Sequence, residues 1–96
     1  MAVVLTARWV AREGEEARVR AYLEQLAGPS REEPGCLLYQ PCQARDDPRS
    51  FLVFEMYADD DAVAAHGSSE HFRRLALEGA IPLLESRERV FYETVD

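Results

Sequence analysis

The chain reads as an α+β domain of the ferredoxin-like kind, β-α-β-β-α-β around a four-stranded antiparallel sheet. Three observations predict it. Four stretches carry strand character, Val3 to Ala11, Cys36 to Ala44, Phe51 to Ala58 and Arg87 to Val95, the third being densest in aromatic and β-branched residues. Helical patterns fall between the first and second of these and between the third and fourth. The 96 residues, 47% apolar and 30% charged, are enough for one folded domain spanning 1–96 with a single core.

The first strand alternates: Val3, Leu5, Ala7, Trp9 and Ala11 share one face, and Val4, Thr6, Arg8 and Val10 the other. Glu13-Gly14 turns the chain into a helix over Glu15 to Ala27, where Val19, Tyr22, Leu23 and Leu26 form one apolar stripe. Gly28-Pro29 is expected to end it, because proline disfavours helix at the residue before it. A connection, SREEPG, leads to the second strand. Pro41 lies inside that strand and cannot donate to a ladder, which predicts a sheet edge or a bulge. RDDPR (45–49) is a hairpin loop. After the third strand, Asp59, Asp60 and Asp61 suit the start of a second helical region, about 59–79, broken near Gly67, with Ser68 or Ser69 capping its second part. Gly79 and Pro82 mark its exit, and the fourth strand follows.

Right-handed crossovers place the first and third strands in the middle of the sheet and the second and fourth at its edges. Two helices cover only one sheet face. Yet the third strand is apolar on both, with Phe51 and Val53 on one side and Leu52, Phe54 and Met56 on the other. The uncovered side predicts a homodimer packed sheet to sheet.

Composition excludes several classes. A net charge of −7 argues against nucleic acid, which needs a basic surface. No apolar run reaches membrane-span length, and the first residues lack the layout of a signal peptide, so the expected location is the cytoplasm with no membrane partner. There is no lysine, which removes Schiff-base chemistry. Cys36 and Cys42 share one strand, about 20 Å apart in extended chain, and read as small buried side chains rather than a disulfide.

The runs EPGCLLYQ, DPRSFLVFEMY and DDDAVAAHGSSEHF resemble the antibiotic biosynthesis monooxygenase (ABM) domain family, small ferredoxin-like dimeric α+β barrels that include quinol monooxygenases. The resemblance extends over nearly the whole chain and is most specific from Glu33-Pro34-Gly35 through Ser69-Glu70-His71-Phe72. It implies a pocket between sheet and helices, and a monooxygenase acting on a quinol or polycyclic phenol with O₂, using neither metal nor flavin. The strand motif Glu55-Met56-Tyr57 departs from the usual Glu-x-Trp. Haem-degrading proteins of similar fold use an asparagine, a tryptophan and a histidine where this chain has Ala7-Arg8, Tyr57 and about Ala76, so haem degradation is not expected. Two other readings of the same fold are a non-catalytic dimeric module binding a small aromatic ligand and a dimeric scaffold with a filled pocket.

Oxygenation without a cofactor asks for a base near the substrate hydroxyl, donors for the developing oxyanion and an apolar cavity for the rings. His66 is the candidate base, with a helix-end histidine bonded to a last-turn carbonyl as the alternative. Tyr57 is the second catalytic candidate, as a donor to bound oxygen; otherwise it is an amphipathic core residue. Glu55, His71, Trp9 and Phe72 are candidates for substrate binding. For Glu55 the alternative is a structural ion pair with a buried partner such as an arginine, for His71 a brace at the helix break, and for Trp9 and Phe72 simple core packing. His66 and His71, at i and i+5, would project about 140° apart on a continuous helix, so no metal site is expected, although the glycine break loosens that geometry and Glu55 could join the two. Tyr39 and Tyr92, on edge strands, give no signal.

Overall fold

The computed structural model describes all 96 residues. Its elements are β1 (Val3–Ala11), α1 (Glu16–Arg31), β2 (Cys36–Gln43), β3 (Ser50–Tyr57), α2 (Asp60–Gly67), a wide π-type helix α3 (Phe72–Ala80), a single 3₁₀ turn (Ile81–Leu83) and β4 (Leu84–Glu93). The sheet is antiparallel throughout, in the order β2-β3-β1-β4. The ferredoxin-like arrangement and the edge positions of β2, with its Pro41, and β4 are as expected. No helix is long and apolar enough to cross a membrane.

Register fixes which side chains meet the helices. Leu5 pairs with Glu55, Ala7 with Val53 and Trp9 with Phe51, and all six are buried beneath α1 and α3. Val19, Leu23 and Leu26 of α1 and Leu75, Ala76 and Ala80 of α3 complete one core. The other sheet face has no helix over it. There Leu52, Val90, Tyr92 and Leu38 are exposed, beside half-buried Val4, Phe54 and Met56.

Three boundaries differ from expectation. α1 does not stop at Gly28-Pro29 but continues to Arg31. Glycine has no Cβ to crowd the following proline ring, so the pre-proline restriction is relaxed at Gly28. The last turn is held from outside, with Ser30 fully buried and Arg31 Nε donating to the Tyr39 carbonyl at 3.0 Å. At the other end of the chain, β4 begins at Leu84 rather than Arg87, because a bulge between Val10 and Ala11 extends the ladder to Leu84, which is buried. The second helical region likewise runs past Gly79, through Ala80 and a 3₁₀ turn that accommodates Pro82. Cys36 is half-buried and Cys42 exposed, so the expectation of two buried thiols fails for Cys42, which lies on the uncovered face of an edge strand.

The helix break is built by side chains. Asp59 accepts from the Ala62 amide at 2.8 Å and starts α2. Ser69 donates to the His66 carbonyl at 2.7 Å and accepts from the Phe72 amide at 3.2 Å, closing one segment and opening the next. Gly35, whose carbonyl accepts from the Ala58 amide at 2.9 Å, packs directly under α2. A Cβ at Gly35 would overlap the Ala62 Cβ and lie 3.4 Å from its Cα. Gly35→Ala is therefore expected to cost about 1–3 kcal/mol by overpacking. Gly67→Ala, where a Cβ meets nothing within 4 Å, should be neutral or stabilising by up to about 1 kcal/mol. Urea denaturation of the two variants checks this, and equal midpoints would show that the close approach at Gly35 is not a constraint.

Candidate active site

A cavity of about 250 Å³ lies between the sheet and the α2–α3 break, so the pocket is not filled by side chains. Trp9, Tyr39, Glu55, Tyr57, His66 and Phe72 line it, with Leu5, Ala7, Val63, Gly67 and Leu77 supplying apolar wall and Arg87 and Arg89 its β4 side. A larger groove of about 560 Å³ between α1 and β2 contains none of the candidate residues.

His66, at the end of α2, is 5% exposed and surrounded by rings, with centroids 5.1 Å from Phe72 and 5.5 Å from both Tyr39 and Tyr57. Its Nδ1 lies 2.8 Å from Glu33 Oε2. An ionised carboxylate only accepts, so Nδ1 carries the hydrogen and Nε2 is the open nitrogen of the neutral ring. Nε2 is turned towards Glu55, 3.8 Å from Oε1. Burial pushes the imidazole pKa below its ordinary value, against the opposing pull of Glu33. The alternative of a helix-end histidine bonded to a last-turn carbonyl is overturned, because the Nδ1 partner is Glu33 and the His66 carbonyl accepts from Ser69.

Glu55 is 4% exposed and accepts from the Tyr57 hydroxyl at 2.6 Å. It makes no ion pair with an arginine; its buried partners are the Tyr57 hydroxyl and, at 3.8 Å, His66 Nε2. Burial raises its pKa to about 7, with Tyr57 and the arginines of β4 drawing it down and Glu33 adding to the rise. The Tyr57 hydroxyl is held by Glu55, and burial and that neighbouring carboxyl raise its pKa, so it remains a donor. Tyr57 thus positions Glu55 rather than facing the cavity with a free hydroxyl. Trp9 and Phe72 line the cavity as expected of substrate-binding candidates. His71 does not; its Nε2 meets the same Glu33 Oε2 at 2.5 Å, from behind His66. It braces the break, one of the two roles open to it in the sequence.

Glu33 was not singled out by sequence reasoning, although it opens the Glu-Pro-Gly run. It sits in the α1–β2 connection, and its carboxylate ties that connection to both halves of the broken helix. Tyr39 was also set aside, yet it is 3% exposed and forms cavity wall. The break, not helical spacing, brings the two histidines together, and with Glu33 their ligand atoms lie within 4.8 Å of one another. Zinc bonds of about 2.0–2.1 Å would set tetrahedral ligands roughly 3.3 Å apart. As they stand, the 2.8 and 2.5 Å separations are hydrogen-bond lengths. The arrangement fits a proton-bearing triad.

The family model for antibiotic biosynthesis monooxygenase matches residues 1–76. The chain belongs to the antibiotic biosynthesis monooxygenase family. PA3566 of Pseudomonas aeruginosa is 32% identical with a TM-score of 0.92, over 99% of this chain and 95% of that one. Rv0793 of Mycobacterium tuberculosis is 25% identical with a TM-score of 0.90, over 100% and 97%. A crystal structure of an antibiotic biosynthesis monooxygenase, 24% identical with a TM-score of 0.90 over 98% and 99%, is similar in fold. No functionally curated protein matches. Membership of this monooxygenase family supports a monooxygenase-like role.

The buried carboxyl has a stability signature. Folded Glu55 retains its proton up to about pH 7, whereas the unfolded chain releases it near 4.5, so this residue lowers stability as pH rises through that window. His66, with a depressed pKa, acts oppositely, penalising the fold below 6.5. Glu55→Gln should therefore gain stability relative to the unsubstituted protein between pH 5 and 7, by on the order of 1–3 kcal/mol. Urea titrations at several pH values measure this; a pH-independent difference would mean that Glu55 is not held protonated.

Proposed function

We propose that this protein is a monooxygenase needing no cofactor, acting on a quinol or related phenol with O₂. The carrying observation is one residue: His66 is pinned by Glu33 with its open Nε2 beside Glu55, at an aromatic-walled cavity. At about 250 Å³, below the usual range of ligand pockets, that cavity suits one or two fused rings better than four.

The chemistry follows from the residues. Neutral His66 accepts the substrate's hydroxyl proton at Nε2, and Glu33 stabilises the imidazolium that forms. Deprotonation makes the ring electron-rich and able to pass an electron to O₂, with the aromatic wall of Trp9, Tyr39 and Phe72 against it. For a quinol the balance closes without other reductant: the substrate gives four electrons, one oxygen atom enters the ring to give a hydroxyquinone, and the other leaves as water. Glu55, near half-protonation at neutral pH, is placed to return a proton to a reduced oxygen intermediate. A binding module without turnover is the second reading, favoured by the Tyr57 hydroxyl being held by Glu55 instead of free for oxygen.

Oxygen uptake by metal-stripped protein with naphthohydroquinones, measured above the protein-free blank, separates these readings. We expect enzyme-dependent uptake that falls by about 10²–10⁴-fold in His66→Ala, the usual worth of a general base. Thermal stabilisation by ligand without oxygen uptake would leave the binding module instead.

We also infer that the uncovered sheet face is closed by a second copy. Val4, Leu52, Phe54, Met56, Val90 and Tyr92 lie together there in register, an apolar surface more extensive than single exposed side chains explain. Sedimentation should give a dimer, and Leu52→Asp with Val90→Asp a folded monomer. A monomeric parent protein would remove the dimer.

A further inference from the structure

The cavity has two chemically opposite sides. Towards α2 stand the acceptors, Glu55 and the open Nε2 of His66. Towards β4 stand groups that only donate: Arg87, Arg89 and the indole of Trp9. We propose that this donor side is an anion subsite, and that the substrate is an aromatic hydroxy-acid whose carboxylate, or other oxyanion, it receives. This rests on reading the cavity as an aromatic binding site.

Four observations carry it. Arg87 and Arg89 stand two residues apart on β4 and therefore on one face of it. Register puts that face over the covered side of the sheet: Trp9 pairs with Arg87 and Ala7 with Arg89. Both arginines are exposed on the edge strand, where charge protects a sheet edge, but both also line the cavity, so they stand at its rim. Neither guanidinium has an ion pair or a side-chain hydrogen bond within the chain, although acidic residues outnumber basic ones 18 to 11. Arg89 instead lies 5.5 Å over the Phe91 ring.

Trp9 is the third donor. It is 4% exposed, lines the cavity, and its Nε1 has no hydrogen-bond partner. A buried unmet donor is costly, and a ligand acceptor would recover that cost. Partial burial and the neighbouring Arg89 charge push Arg87 below its ordinary pKa, and the Glu55 carboxyl across the cavity offsets this only in part. Ala7, opposite Arg89, leaves open space above β1 for the ring between the two sides. Along β1 the backbone of Glu55 pairs with Leu5 and that of Arg87 with Trp9, about 13 Å of strand apart. A ring system with a hydroxyl directed at Glu55 and His66 and an anion directed at the β4 arginines would lie between these two positions.

The test uses a pair of stable ligands that differ only in the anion: 6-hydroxy-2-naphthoate and 2-naphthol. Their dissociation constants are measured by isothermal titration on the full chain at low and at 0.5 M salt. We expect the naphthoate to bind at least tenfold more tightly, the advantage to shrink in high salt, and Arg87→Gln with Arg89→Gln to bring the two ligands within about twofold. Trp9→Phe, which deletes the N–H while keeping a ring, should remove part of the preference. Equal affinities in the parent protein, or a preference that survives the double substitution, would overturn the anion subsite while leaving an aromatic site in place. Failure of both ligands to bind would overturn the subsite and the aromatic cavity together, whereas the oxygen-uptake measurement stands or falls separately.

Discussion

A single carboxylate oxygen organises the functional half of this molecule. Glu33 Oε2 receives His66 from the end of α2 and His71 from the start of α3, at 2.8 and 2.5 Å. Hydrogen bonds to a charged acceptor are shorter and stronger than neutral ones, and these two join a loop to both sides of a helix break. The helix must break for this to happen, since on an unbroken helix the two rings diverge. Ser69 meets the backbone needs of the break. The other oxygen, Glu33 Oε1, is buried without a partner, so the site is not arranged for stability alone. What the arrangement secures is the tautomer of His66, with its open nitrogen facing the cavity.

The close approach of Gly35 to Ala62 belongs to the same constraint. Glu33 can reach the histidines only if the α1–β2 connection lies flat under α2. A side chain at position 35 would lift it. The run Glu33-Pro34-Gly35 therefore combines one chemical residue with the backbone conditions for delivering it, in a loop where periodicity gives no clue to burial.

That explains which parts of the structure were legible in the sequence. Right-handed crossovers placed β1 and β3 in the middle of the sheet, and the apolar side chains on both faces of β3 agreed with that. The break at Gly67 was legible as well, since glycine and two serines interrupt an apolar pattern. The end of α1 was misread because Gly28 cancels the restriction that Pro29 would impose on any other residue. The start of β4 was misread because its first residues follow a proline and include Glu85 and Ser86. Burial of Tyr39 escaped notice for a tertiary reason: its strand is at an edge, but its helix-facing side is closed by the last turn of α1 and by the His66 ring. Glu33 could be found only through the family resemblance of its motif. Convergence of the histidines was invisible to helical geometry, which assumes the continuity that the break removes.

Alternation along the strands also keeps two surfaces apart. Even-numbered residues of β3 face the uncovered side, and odd-numbered residues, Glu55 and Tyr57 among them, face the cavity. Closing the uncovered face with a second copy would leave the cavity intact. The charge pattern is separated in a similar way. The chain carries a net charge of −7, which by itself disfavours anions. Over a Debye length of about 8 Å at physiological salt, however, distant charges are largely screened and nearby ones dominate. A ligand in the cavity lies against Arg87 and Arg89, which line it, with Glu55 the one carboxyl in the same wall. Anion recognition in this acidic protein therefore acts as a short-range filter at the cavity rather than as long-range attraction, and it selects among aromatic molecules only after they have reached the mouth.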